Sequence, residues 1–216
     1  MAGPCASINW ISWTTDEIIA GECHINPSLS EYVETHLPTH KIVRDLLGYD
    51  FVRSPDGTHV AHVGWIVHFA PPYAHSEYLQ IDDVTVYPLP KGARAVRQEG
   101  LTPAPNVVVK RGSTYYGIHE FRSDFAWSPD AQRVAFVDCT YDYTERPGVV
   151  IGSGEPLGDE TERRCALAVV SRTGEHSMFP LESDPGQGEK RPTLTWDDAR
   201  HVVMRTAKGA KRFELP

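Results

Sequence analysis

A chain of 216 residues, 40% hydrophobic and 23% charged, is long enough to bury a core of its own without metal or disulfide staples. Its formal net charge of −8 argues against a sequence-independent grip on nucleic acid or anionic membrane, which needs clustered Lys and Arg. No apolar run is long enough for a membrane span, and residues 1–12 lack the basic-then-apolar pattern of an export signal, so a cytoplasmic location is expected.

In chain order, the first strand pair is predicted from Ile8-Asn9-Trp10-Ile11-Ser12-Trp13 and Ile18-Ile19-Ala20. Residues 31–36 and 41–47 read as its outer strands, although 38–47 is also the stretch most able to form a helical turn. The next segment, YDFVRSPDGTHVAHVGW at 49–65, is a strand, a Ser-Pro-Asp-Gly turn and a second strand. Residues 81–88 and 107–110 supply further strands. The run SDFAWSPDAQRVAFVDC at 123–139 then repeats the same plan, followed by strands at 165–171 and 176–181. Ala131 replaces the turn glycine, so the left-handed residue of that hairpin is expected elsewhere. A last, partial copy runs from Thr193-Leu194-Thr195-Trp196 to His201-Val202-Val203-Met204, with a loop one residue shorter, and 211–215 adds a final strand.

Trp13, Arg53, Trp127 and Trp196 anchor equivalent positions in four units, at about 8–47, 48–115, 116–183 and 190–216. The reading is a single all-β domain spanning 1–216, a β-propeller-like array of about four antiparallel sheets, three full and one partial. The pattern Phe-x-Trp-Ser-Pro-Asp-(Gly)-x-x-Val-Ala-Phe resembles the WD40-like repeat of TolB-type propellers, also found in prolyl-oligopeptidase relatives. Copies at 50–63 and 124–137 match well, and those at 8–20 and 193–204 match in part. The resemblance implies blades and marks no catalytic residue. It also implies more blades than this chain holds. Because an open arc leaves apolar faces bare, closure within one chain, completion by a second copy and an irregular stack all stay open.

The candidate chemistry is sparse. Four cysteines at 5, 23, 139 and 165 form no Cys-x-x-Cys pair and are expected as reduced, buried thiols. His36 and His40 flank a proline, and His59 and His62 fall on opposite faces of a strand, so neither pair makes a metal site. Gly152-Ser153-Gly154 lacks the rest of a dinucleotide loop, and no Gly-x-Ser-x-Gly elbow exists. The best cluster is the set of segments leaving the second strand of each unit, which would present His24, Asn26, Trp65, His68, Asp138, Tyr141, Asp142 and Tyr143 on one rim. Aromatic, His and Asp side chains there suit recognition of a protein or a small polar ligand. The expected function is a non-enzymatic binding module that pairs as a homodimer, with no cofactor, metal, nucleic acid or membrane. A small hydrolase or lyase using rim His and Asp, and an acidic inhibitor or immunity protein, are the alternatives.

Overall fold

The computed structural model describes residues 6–26, 29–64, 76–97, 107–148, 157–186 and 190–216. These residues are all-β, built as three antiparallel sheets. The first is a meander of β1 (Ser7–Trp13), β2 (Ile18–Asn26), β3 (Leu29–His36), β4 (Lys41–Arg53), β5 (Val60–Gly64), β6 (Leu79–Ile81), β7 (Val84–Tyr87) and β8 (Val96–Arg97). The second contains β9 (Val109–Arg111), β10 (Thr114–Phe121), β11 (Ala126–Trp127), β12 (Arg133–Glu145), β13 (Gly158–Glu160), β14 (Arg164–Ser171) and β15 (His176–Pro180). Its spatial order is β15-β14-β12-β10-β9, with β11 and β13 also paired to β12. The third is β16 (Thr193–Asp198), β17 (His201–Thr206) and β18 (Gly209–Glu214).

The two best sequence copies fold as the same object. In the first turn Ser54 Oγ donates to Asp56 Oδ1 and accepts from the His59 amide, while Gly57 N–H donates to the Ser54 carbonyl. In the second, Ser128 Oγ donates to Asp130 Oδ1 and accepts from the Arg133 amide, while Ala131 N–H donates to the Ser128 carbonyl. Gly57 has φ 72°, and Ala131 has φ 56°. The left-handed residue therefore stays in place despite the Cβ, contrary to the sequence expectation. The buried serine fixes the turn tightly enough to carry a strain of about 1–2 kcal/mol.

The units stack through one repeated contact. Trp127 Nε1 donates to the Val52 carbonyl and Trp196 Nε1 to the Ala126 carbonyl, each at 2.9 Å. Val52 and Ala126 are themselves equivalent, each one residue before its unit's anchor. Arg53, which stands where the others have Trp, reaches Glu34 Oε1 at 3.2 Å instead. Around these anchors lie two main cores. Val63, Leu79 and Val86 of the first sheet pack on Phe121, Val134 and Phe136 of the second. Val137, Leu167 and Val169 of the second pack on Val202, Met204 and Phe213 of the third.

Several boundaries differ from the sequence reading. Units one and two share a sheet because β4 continues through Gly48, so four expected sheets become three. The helical expectation over 38–47 reduces to a 3-10 turn at Leu37–Thr39, after which extended backbone resumes at Lys41. The expected strand at 81–88 is cut by a turn at Asp82, φ 53°, whose carboxylate takes the Val60 amide. The strand expected at 107–110 appears as β9 in the second sheet rather than the first.

The two ends of the stack differ in chemistry. On β1 the register opposes Trp13 to Ile19, Ile11 to Gly21 and Ile8 to Cys23, turning these side chains away from the buried face of Ala20, Tyr32 and Leu46. Ile8, Ile11 and Trp13 are each more than half exposed. At the other end Leu194, Trp196 and Val202 face inward, leaving Thr193, Thr195, Asp197, Arg205 and Arg212 outward and exposed. Arg212 Nε meets Asp197 Oδ2 at 3.0 Å there. The C-terminal sheet carries a polar outer face, as terminal repeats of solenoids do; the N-terminal sheet does not.

Candidate functional site

Strand β12 is the spine of the second sheet, and its alternation sends successive residues to opposite seams. Val134 and Phe136 enter the core shared with the first sheet, and Asp138 follows them on the same face. Burying a carboxylate there requires partners. Tyr87 Oη donates to Asp138 Oδ2 at 2.6 Å, and His119 Nδ1 lies 2.8 Å from the same oxygen. Burial and the neighbouring carboxylate together push the Tyr87 phenol well above its ordinary range. Asp138 Oδ1 is buried and accepts no hydrogen bond.

On the opposite face of β12, Cys139 stands directly across from Cys165 of β14, and the two form a disulfide with S–S 2.01 Å. Cys23 is disulfide-bonded as well. The expectation of reduced thiols is therefore corrected: antiparallel pairing puts Cys139 and Cys165 side by side in a register that spacing alone cannot reveal. Near the disulfide, Glu120 pairs with Arg122 at 2.8 Å and with Arg163, and Arg163 pairs with Glu160 at 2.9 Å. The Arg163 guanidinium lies 4.2 Å from the centroid of the Tyr141 ring.

These elements border a groove of about 930 Å³ along the start of β14 and the segment after β15. Asp138, Glu160, Glu162, Glu182 and Asp184 supply carboxylates to its lining, against Arg163 and Arg164. Thr140, Met178 and Leu181 add neutral surface. The groove is thus acidic, and its better-placed arginine is already neutralised by Glu120 and Glu160.

Of the residues singled out from sequence, four share β12. Asp138 borders the groove. Tyr141 and Tyr143 are buried with Tyr115 and Ile118, and burial pushes the Tyr141 phenol up to about 12. Asp142 Oδ1 accepts the Gly117 amide at 3.0 Å, so it holds the β10 bend. His24 and Asn26 stand at the end of β2, in the first sheet. Trp65 and His68 lie outside the described residues, as do Gly152 and Gly154. Three of the dismissed histidines are committed to the scaffold: His36 bonds Glu17 and Thr39, His59 bonds Asp82, and buried His62 lies 2.8 Å from the Asp82 carbonyl oxygen through Nε2.

Tyr87, His119, Glu120 and Asp184 escaped the sequence reading. One signal was present: His119 and Glu120 interrupt the apolar alternation of TYYGIHEF, and polar residues inside a central strand demand partners. Chemically, the arrangement holds His119 by an aspartate on Nδ1, an orientation usable for proton transfer. Among the described residues, no hydroxyl or thiol is hydrogen-bonded to that ring. What the groove does offer is carboxylate to a cationic or hydrogen-bond-donating ligand.

Comparison with known proteins gives no family. No family model matches the chain, and no curated protein matches it. Among solved structures, the acylaminoacyl peptidase of Pyrococcus horikoshii is similar at 11% identity and a TM-score of 0.40. That likeness covers 91% of this chain and 27% of the peptidase, so the chain spans about a quarter of that protein's length. A likeness at this level carries no argument about fold or activity.

Proposed function

We propose that this chain is a non-enzymatic interaction module of TolB-type propeller character, and that its acidic groove takes a basic, extended polypeptide segment. The observation that carries the reading is the charge of the groove, with Asp138, Glu160, Glu162, Glu182 and Asp184 against two arginines. The net charge of −8 adds a long-range field of the same sign, which steers a cationic partner toward the chain. An acidic inhibitor of a basic partner belongs to this same chemistry. The hydrolase or lyase alternative draws no support from His119, which lacks a bonded nucleophile among the described residues. The Cys139–Cys165 disulfide favours an oxidising compartment over the cytoplasm.

The outer face of β1 we assign to a second copy of the chain. Head-to-tail stacking would set Ile8, Ile11 and Trp13 against the charged face of the last sheet, which leaves apolar area uncompensated. Face-to-face pairing about a two-fold axis buries apolar surface on apolar surface.

The test of the groove is a titration with a labelled Lys/Arg-rich peptide and an acidic peptide of equal length, followed by fluorescence anisotropy. Saturable binding of the basic peptide alone, weakening with added salt, is expected. Equal binding of both peptides, or none of either, would contradict the proposal.

A further inference from the structure

We propose that Cys139, Cys165 and Asp184 form a redox-gated site for a borderline-soft divalent cation of the zinc class, closed while the disulfide stands and opened by its reduction. The two sulfurs and a carboxylate oxygen of Asp184 all lie within 4.8 Å of one another. Thiolate, thiolate and carboxylate are a donor set that such a cation prefers over magnesium or calcium. The surroundings of Asp184 point to the same site. Its side chain is only 7% exposed, yet Oδ2 accepts no hydrogen bond. Oδ1 takes the Gly186 amide at 2.9 Å, which fixes the carboxylate beside the disulfide. Arg122, held to Glu120, brings its guanidinium 3.6 Å from Oδ2, farther than a hydrogen bond.

Charge closes the argument. Two thiolates and Asp184 carry three negative charges, of which a divalent cation offsets two, while the Arg122 beside Asp184 is shared with Glu120. In the oxidised state the buried Asp184 oxygen has the Arg122 ion pair at 3.6 Å, which Arg122 shares with its closer partner Glu120. Cys165 and Asp184 both line the groove, so a reductant and a cation share one entry, and the open side leaves a fourth position for water. The peptide-binding proposal is not needed for this site.

A dithiol reductant, as thiolate, attacks Cys165 Sγ; the S–S bond breaks and Cys139 leaves with the electron pair and takes up a proton. The second thiol of the reductant then displaces Cys165, and the reductant departs as a cyclic disulfide after giving up two electrons. Cation binding releases the two thiol protons to solvent.

The test uses the full chain reduced with a phosphine, freed of reductant without air, and titrated with cobalt(II). Sulfur-to-cobalt charge-transfer absorption saturating at one ion per chain is expected, with none in the oxidised protein. Reduction also frees Cys23, so the double variant Cys139→Ser/Cys165→Ser measures any signal arising elsewhere and is expected to lose the band. Asp184→Asn, which can still take the Gly186 amide and form the disulfide, is expected to weaken cobalt binding by about tenfold or more. Absence of the band, its survival in the double-serine variant, or unchanged affinity in Asp184→Asn would overturn the site. So would loss of the β-sheet circular dichroism on reduction, because a gate requires the reduced fold to persist.

Discussion

Tyr49 Oη donates to Glu77 Oε1 at 2.7 Å, and the Phe121 amide donates to Oε2, so one carboxyl group ties β4 to β10. Burial pushes that carboxyl up from an ordinary 4.5 to about 7. Between those two values the folded chain binds more protons than the unfolded one, so stability falls as pH rises through the window, by up to about 3 kcal/mol. Glu77→Gln keeps the shape and removes the titration. Urea unfolding should show the variant gaining on the parent from about pH 5 to about pH 8; parallel pH dependence would refute the assignment. Trp127→Ala should cost about 3–5 kcal/mol by the same assay, and a loss under about 1 kcal/mol would contradict its role as the anchor between units. Trp127 was legible because the chain writes its position four times. Glu77 was not, because its partner Phe121 is distant in sequence and only folding brings them together.

At the scale of elements, the two Ser-Pro-Asp turns make equivalent hydrogen bonds and both serines are buried. Ser54→Ala and Ser128→Ala should each lose about 1–3 kcal/mol, since each orphans a strand amide, that of His59 or Arg133. Thermal melts of the two variants would check this, and a large loss in one turn with none in the other would break the equivalence. These hairpins were readable because turn chemistry is local. The long strands were not. Gly48 looked like a unit boundary, but the backbone stays extended through it, and ladder pairing with β3 on one side and β5 on the other carries β4 across. The disulfide was hidden for a related reason: Cys139 and Cys165 meet only because the β12–β14 register opposes them, and spacing does not encode register.

Across the whole molecule, the stack is apolar at its first sheet and charged at its last, which predicts pairing through the first sheet. Light scattering should give about twice the chain mass of 24.1 kDa, and Trp13→Ser with Ile11→Ser should return it to the single value. A monomeric parent chain would refute the pairing. The all-β architecture could be read from alternation and turns, whereas the groove could not, because its carboxylates come from β12, β13, the β13–β14 connection and the segment after β15. Sequence reasoning reached only Asp138 among them. The most direct measurement of the functional account is the anisotropy titration repeated on Glu162→Lys/Glu182→Lys, two exposed positions whose reversal leaves the buried network intact. The account predicts that the variant loses the basic peptide and gains the acidic one. Undiminished binding of the basic peptide would contradict it.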